Sequence, residues 1–268
     1  MSTIPRAIDA TAQAALAKKF KDLHIPGSPV ILTNVWDAPS TAMVLGHPKT
    51  KALATASYAV AEVNGVPDDD LTLEINLAAI SKITQQIKRS GKTHEIPLTV
   101  DLQSGYGDRL EEAVVSIIRL GVVGINLEDS LSFGGNLVEV DAHVARIKKV
   151  LEVAEREGVP NFVVNARNDA ILCGKSIDEA IARGKKYLEA GATTVYVWGG
   201  PPRGLRDAEL KKIVEGLGGR INVTLTHNEG ALNFKQLAEF GVARISLGPQ
   251  LWWAAMAEAK KKLESLLE

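Results

Sequence analysis

The chain has 268 residues, of which 46% are hydrophobic and 24% charged, a composition typical of a globular protein with one large core. Its 31 basic and 32 acidic residues give a formal net charge of −1, which argues against nucleic acid as a bulk partner. The single cysteine, Cys173, excludes an internal disulfide and a cysteine-cluster metal site. No apolar run reaches the roughly 18 residues of a membrane span, and the first residues lack a signal core. We therefore expect a cytoplasmic protein with no membrane partner.

Eight short β-branched or apolar runs predict strands that are buried on both faces, as in parallel sheets. They are residues 30–36, 52–58, 97–103, 124–130, 162–168, 194–199, 221–226 and 244–248. Most of them end in polar residues.

Amphipathic segments between these runs predict helices, several of which stop at glycine. They are residues 71–91, 109–121, 140–158, 176–191, 205–218, 233–241 and 249–268, with a short helix within 39–47 and an extra N-terminal helix at 11–23. Ser176 and Glu179 form a capping-box pattern at one of the helix starts.

Eight strand–helix units in strict alternation are the number that closes a (β/α)8 TIM barrel, so we predict an α/β protein with residues 1–268 as a single barrel domain. An open doubly wound sheet is the alternative. That fold usually carries a Gly-x-Gly-x-x-Gly turn after its first strand, and this chain has none there.

Chemistry in such barrels lies at the C-terminal ends of the strands. Three predicted strands end in polar residues spaced two apart, namely Asp101 and Gln103, Asn126 and Glu128, and Asn165 and Arg167. This spacing places both side chains of a pair on one face, and adjacent strands lie about 4.8 Å apart. Asp101 and Glu128 could therefore converge on one cation, for which oxygen ligands favour Mg²⁺ or Mn²⁺. Arg167 is placed to hold a carboxylate or phosphate.

Each of these residues also has a structural interpretation. Asp37 and Asp129 could cap helices or form turns, and Asp68–Asp70 could be a solvated turn that caps the next helix. An arginine at a barrel mouth can pair with a structural carboxylate. The occurrence of Asp101, Glu128 and Arg167 on three successive strands favours a shared site for a metal and an anionic substrate.

Several segments carry a resemblance to a known family. They are residues 32–44, 54–68, 98–108, 121–130 and 162–170, which include Asp-x-x-x-Gly-Tyr-Gly, Gly-Ile-Asn-Leu-Glu-Asp and Asn-Ala-Arg. Through them almost the whole chain resembles the isocitrate lyase/phosphoenolpyruvate mutase superfamily. The resemblance implies a (β/α)8 barrel with Mg²⁺ at the strand ends. It also implies action on small 2-oxo or 2-hydroxy carboxylates, in which a C–C or P–C bond is made or broken beside an enolate-like intermediate.

The resemblance also implies roles for single residues. Asp101 is similar to the principal metal ligand, and Glu128 would support the metal directly or through water. Asp68 matches an aspartate of a loop that closes onto the site. The substrate carboxylate would be held by Ser57, by the backbone near Tyr58 and by Arg167.

Two features depart from the family pattern. Gln103 stands where the family usually has an acidic residue. Its neutral amide can still bind a metal-bound water, so Gln103 is a candidate metal residue with Asp101 and Glu128, but one charge is lost and metal affinity should fall. The loop at 130–140 lacks both the cysteine of the lyases and the lysine of the mutase and phosphonopyruvate hydrolase branch. Its polar residues Ser130, Ser132 and Asn136 are poor acids, and Cys173 is interpreted as a small packing residue.

Other residues could replace the missing loop chemistry. His227 could act as general acid or base, or be a hydrogen-bonded histidine of the rim. Tyr106 could donate to an oxyanion or hold its Gly-Tyr-Gly turn. Trp198 could form an apolar wall of the site. Trp36 and Asn165 complete the candidate substrate-binding residues.

Three functions remain open at this point. The first is a Mg²⁺-dependent lyase or hydrolase that acts on a C–C bond of a 2-oxo or 2-hydroxy acid. The second is a P–C phosphonomutase or phosphonopyruvate hydrolase, and the third is a catalytically silent carboxylate-binding barrel. The last helix, with adjacent Trp252 and Trp253, could contribute to a subunit contact. The resemblance implies a homodimer or homotetramer that exchanges this helix between subunits.

Overall fold

The computed structural model describes residues 4–132, 134–201, 203–225 and 231–268. Eight parallel strands form a closed barrel in chain order, with β8 paired to β1. They are β1 (Val30–Val35), β2 (Leu53–Thr55), β3 (Leu98–Asp101), β4 (Gly124–Glu128), β5 (Val163–Asn168), β6 (Thr194–Val197), β7 (Ile221–Thr224) and β8 (Arg244–Ser246). The predicted (β/α)8 barrel is confirmed, and the open-sheet alternative is wrong because the first and last strands are bonded.

The helices alternate with the strands as predicted. They are α1 (Ala10–Asp22), α2 (Ala38–Leu45), α3 (Ser57–Val63), α4 (Leu73–Arg89), α5 (Leu110–Arg119), α6 (Val140–Arg156), α7 (Ile177–Glu189), α8 (Asp207–Gly216), α9 (Phe234–Glu239) and α10 (Gln250–Leu267). Short 3₁₀ turns span Asp68–Asp70 and Gly107–Arg109. The hydroxyl of Ser176 caps α7 by accepting the Glu179 N–H at 3.1 Å. In the described part of the chain, no helix has both the length and the apolar character needed to cross a membrane.

The predicted second strand, 52–58, is wrong at its end, because β2 stops at Thr55 and Ser57 begins α3. The apolar run continues, but Ala59 and Val60 are buried in a helix against Trp36. A run of small apolar residues fits a buried helix as well as a strand, and tertiary contacts decide between them. The third strand also ends early, because Gln103 adopts φ 50°, outside the β region.

Two of the structural interpretations can now be judged. Asp37 is the N-cap of α2, where its Oδ1 accepts the Ser40 N–H at 2.8 Å. The Asp68–Asp70 turn precedes α4, but Thr72 caps that helix, and its hydroxyl accepts the Ile75 N–H at 3.3 Å.

Asp129 is an internal anchor between β4 and α7. Its fully buried carboxylate accepts hydrogen bonds from the Tyr187 hydroxyl at 2.7 Å and from Arg183 Nη1 at 3.2 Å. It also accepts the Asp169 N–H at 2.8 Å. The side chain therefore secures the end of the barrel instead of reaching into its mouth.

Helix α1 closes the N-terminal end of the barrel. Phe20 is fully buried there, and a Cβ on Gly124, the first residue of β4, would lie 3.1 Å from its ring and 2.8 Å from the Val163 carbonyl oxygen. Because that end is filled by close packing, access to the strand ends is from the opposite mouth.

Buried His143 gives the first testable prediction. Its ring lies on α6, 4.7 Å from the Tyr187 ring, and burial, followed by Arg146 and Arg183, lowers the pKa of His143 to about 3. Between pH 6.5 and 3 the unfolded chain therefore binds a proton at this histidine that the native protein does not bind, so stability falls as the pH falls. From pH 7 to pH 5 this linkage costs about 2 kcal/mol.

The substitution His143→Gln should remove that loss, so urea unfolding should show a drop between pH 7 and pH 5 that is about 2 kcal/mol smaller than in the wild type. The exposed His94 provides the control, and His94→Gln should leave the drop unchanged. Equal drops in His143→Gln and the wild type would contradict the assignment.

Candidate active site

The C-terminal ends of β3, β4 and β5 bring the three central predicted residues to one mouth of the barrel. Glu128 lies opposite Arg167 in the β4–β5 register, and Asp101 lies opposite Asn126 in the β3–β4 register. Asp101 and Glu128 are each 8% exposed. Parallel pairing thus places two carboxylates and a guanidinium beside each other, as their strand positions predict.

Arg167 is held from three sides. Its Nη1 donates to Glu128 Oε1 at 2.6 Å and its Nε donates to Asp169 Oδ1 at 2.7 Å. The Trp198 ring centroid lies 4.2 Å from Cζ. Although burial acts to lower it, the pKa of Arg167 is raised by Glu128 and Asp169, so the side chain stays charged. Two of its five N–H donors are occupied in this way, and the fixed fork can present others to an anion.

Asp101 is held where β3 meets α3. Its Oδ1 accepts the Gln103 N–H at 3.1 Å, and its Oδ2 accepts the Ser57 N–H at 3.3 Å. Its backbone N–H donates to the Thr55 hydroxyl at 2.9 Å. The predicted carboxylate-binding Ser57 is thus a direct neighbour of the predicted metal ligand.

Asp68 reaches the same mouth from the turn before α4. Its pKa is raised to about 6 by burial and then by Asp101, while a hydrogen bond from Ser57 and the charge of Arg167 act in the opposite direction. The loop aspartate that the resemblance implies is therefore close enough to sense three groups of the site. A pKa of about 6 suits a group that exchanges protons near neutrality.

The electrostatics of the site favour the binding of a divalent cation. Burial raises the pKa of Glu128, Arg167 offsets part of this, and Asp101 raises it further. Asp101 likewise raises the pKa of Asp68, so these carboxylates oppose one another's ionisation, and a bound cation would relieve that repulsion.

The donor set also fits such an ion. Within the described ranges, no three histidine, cysteine, aspartate or glutamate side chains form a recognisable metal-binding group. Mg²⁺, however, commonly takes one or two protein carboxylates and completes its shell with water and substrate oxygens. Asp101 and Glu128 would supply those two.

Tyr106 lies above this region in a left-handed conformation, with φ 61°. Its hydroxyl accepts a hydrogen bond from Asn76 Nδ2 at 2.8 Å, and the same amide donates to the Asp101 carbonyl oxygen at 2.9 Å. Burial raises the pKa of Tyr106. The phenol therefore keeps its proton and can donate it in a hydrogen bond, while the left-handed backbone of Tyr106 forms part of the Gly-Tyr-Gly turn.

The remaining candidate substrate-binding residues make contacts of their own. Tyr58 packs its ring against Trp252 and Trp253, with centroids 5.9 and 5.6 Å away. Trp252 also packs against the buried apolar cluster that contains Trp36. Asn165 is fully buried within the barrel, where its amide donates to Asn126 Oδ1 at 2.9 Å.

One predicted acid–base residue cannot be placed. His227 lies outside the described residues.

Asp169 is a site residue that the prediction did not include. It accepts hydrogen bonds from Arg167 Nε and, at 2.6 Å, from the Ser130 hydroxyl. The signal was present, because Asp169 stands two residues after Arg167, the spacing that marked the other pairs. Ser130 therefore helps to orient Arg167 by holding the Asp169 carboxylate.

Cys173 contacts the loop that follows β4. Its thiol donates to the Gly135 carbonyl oxygen at 3.1 Å. Burial, with Asp169 and Asp129, raises the pKa of Cys173. The thiol thus remains protonated, which does not suit a nucleophile.

Comparison with known proteins identifies the family of the chain. The family model described as phosphoenolpyruvate phosphomutase matches residues 20–267. An uncharacterised Mycobacterium tuberculosis protein is 30% identical over 85% of this chain and 81% of its own length. An oxaloacetate decarboxylase of Pseudomonas fluorescens is 25% identical over 90% of this chain and 81% of its own.

A solved structure gives the same result. The crystal structure of a candidate phosphonomutase from Burkholderia cenocepacia J2315 superposes with a TM-score of 0.82 at 32% identity, covering 94% of this chain and 99% of that one. The chain therefore belongs to the phosphoenolpyruvate phosphomutase family of enzymes.

Proposed function

We propose that the protein is a divalent-metal-dependent lyase that cleaves a C–C bond in a small 2-oxo carboxylic acid of the oxaloacetate class. The observation that carries this is the clamped Arg167 beside the carboxylates of Asp101 and Glu128. An anion-binding fork next to a cation-binding pair is what a chelating 2-oxo acid requires. The similarity to an oxaloacetate decarboxylase supports the same substrate class.

The residues divide the work as follows. Arg167 binds the carboxylate of the substrate, and its contacts with Glu128, Asp169 and Trp198 fix the orientation. Asp101 and Glu128 would hold Mg²⁺ or Mn²⁺. When bound, that ion would supply positive charge to the oxygens on which negative charge develops.

Asp68 is the proposed proton donor. In oxaloacetate, cleavage of the C–C bond releases the distal carboxylate as CO2 and leaves the bonding electron pair on the carbon next to the carbonyl, as an enolate. That carbon must then take up a proton to give pyruvate. With a pKa of about 6, Asp68 holds a proton in a useful fraction of molecules near neutral pH and returns to equilibrium with solvent from its half-buried position.

The P–C reaction is the second candidate, favoured by the match to a candidate phosphonomutase. The loop at 130–140 argues against it, because it contains no lysine. The deciding experiment incubates the protein with Mg²⁺ and either oxaloacetate or phosphonopyruvate, and follows pyruvate, phosphate and phosphoenolpyruvate, the last being the product of a mutase. We expect pyruvate from oxaloacetate above the metal-only rate. Turnover of phosphonopyruvate alone would favour the second candidate, and no turnover of either would favour the silent carboxylate-binding barrel.

We also propose a homo-oligomer that forms through α10. None of its residues is buried, and it exposes a set of large apolar side chains, Trp253, Met256, Leu263, Leu266 and Leu267. An exposed apolar face of this kind is typical of a subunit contact. Light scattering should give a mass at least twice that of the chain, and a monomer at micromolar concentration would contradict the proposal.

A further inference from the structure

We propose that Gln103 is a positioning residue that latches the Asp68 turn over the barrel mouth through its side-chain amide. Nε2 donates to the Asp68 carbonyl oxygen at 2.7 Å and to Asp68 Oδ1 at 3.2 Å. One neutral side chain after β3 thus holds both the backbone and the carboxylate of a turn that lies 35 residues earlier in the chain.

The backbone of Gln103 is built for this role. It adopts φ 50°, a left-handed conformation that costs a non-glycine residue on the order of 1 kcal/mol. In this conformation its N–H donates to Asp101 Oδ1, and its carbonyl oxygen accepts the Glu128 N–H at 2.8 Å. Gln103 therefore bonds to all three carboxylate residues at once, and the strained backbone is fixed on both sides.

Charge explains why an amide suits this position. The neighbours of its side chain are carboxylates, and Asp101 and Asp68 already repel each other. An aspartate or glutamate at 103 has no N–H to donate when ionised, and it would add a further negative charge beside Asp68. Two hydrogen bonds would be replaced by repulsion, so the turn would lift away from the mouth.

The latch gives Gln103 a function different from metal ligation. A residue whose amide nitrogen is turned to Asp68 keeps the proposed proton donor at the site even when no substrate is bound. This consequence for catalysis rests on the proposed function, whereas the latch itself is a property of the free protein. The two can therefore be tested separately.

Hydrogen exchange of the ligand-free protein measures the latch directly. The Asp70 and Leu71 amides are bonded within the turn, to the carbonyl oxygens of Pro67 and Asp68. In Gln103→Met, which keeps the length of the side chain but has no donor, these amides should exchange roughly tenfold faster, because two hydrogen bonds are lost. Gln103→Glu should exchange at least as fast. Gln85→Glu, on the exposed face of α4, adds the same charge elsewhere and should change nothing.

Isothermal titration calorimetry with Mg²⁺ is the second experiment, and the two variants should differ from each other in Mg²⁺ affinity. Gln103→Glu should bind Mg²⁺ more tightly than the wild type, since it adds a carboxylate, while Gln103→Met should stay within about twofold. If exchange is faster in both variants but Mg²⁺ binding is tighter only in Gln103→Glu, the faster exchange is due to the lost hydrogen bonds and the tighter binding is due to the added charge.

Unchanged exchange in Gln103→Met, or an increase spread over the whole barrel instead of residues 66–71, would overturn the latch. The proposed function would be unaffected by that result. If the turn opens in Gln103→Met but the wild-type protein turns over no oxaloacetate, the latch is supported and the proposed function is contradicted.

Discussion

Arg167→Lys should lower kcat/KM for oxaloacetate by about a hundredfold or more, although the positive charge is kept. Lysine cannot reproduce the planar fork that bonds Glu128 and Asp169 at the same time, nor the stacking on Trp198. The substitution removes hydrogen bonds between buried charged groups, and removing one partner of such a pair typically costs about 2–5 kcal/mol. Each 1.4 kcal/mol of transition-state stabilisation corresponds to a factor of about ten in rate.

Steady-state kinetics with pyruvate detection measures this effect. The control is Arg203→Lys, a substitution of the same kind on the loop after β6, where Arg203 is exposed and pairs with Glu209. It should leave kcat/KM within about threefold. If Arg167→Lys behaved like Arg203→Lys, Arg167 would not be the substrate anchor.

Asp101→Asn should abolish metal-dependent ligand binding and lower the turnover of oxaloacetate about a thousandfold. The amide is nearly isosteric and can still accept the Ser57 or Gln103 N–H, so the fold should be retained while the charge that attracts the cation is lost. Thermal unfolding in the presence of Mg²⁺ and oxalate, which mimics a small 2-oxo acid, measures metal-dependent ligand binding without turnover.

Wild-type protein at a ligand concentration a hundred times the Kd should gain about 2.7 kcal/mol of stability, a rise in Tm on the order of 5 °C or more for a chain of this size. Asp101→Asn should show almost none of this rise. Asp108→Asn removes an exposed carboxylate from the 3₁₀ turn that follows β3, and it should retain the full shift. A full shift in Asp101→Asn would place the metal elsewhere.

The position of Asp101, Glu128 and Arg167 followed from the sequence because it depends on two simple regularities. Side chains alternate along a strand, and the C-terminal ends of parallel strands share one side of the barrel. Asp169 obeys the same spacing and was recoverable. The role of Gln103 was not, since its amide meets Asp68 only through a left-handed turn and a loop 35 residues away.

The N-terminal part of α3 shows a different limit. Residues 52–61 are mostly apolar, with no clear period of polar residues, so their pattern does not separate a strand from a buried helix. Burial of Ala59 and Val60 in one apolar cluster with Trp36 decides the outcome, and Trp36 lies more than twenty residues earlier in the chain.

The order of strands and helices, the closure into a barrel and the end at which polar residues collect are therefore properties of the sequence by itself, because they arise from local periodicity and the count of repeated units. Tertiary structure decided which donor meets which acceptor, as in the contacts of Asp129 with Tyr187 and of Gln103 with Asp68. Such pairings depend on strand register and on loop conformations to within about an ångström, and no local pattern carries that information.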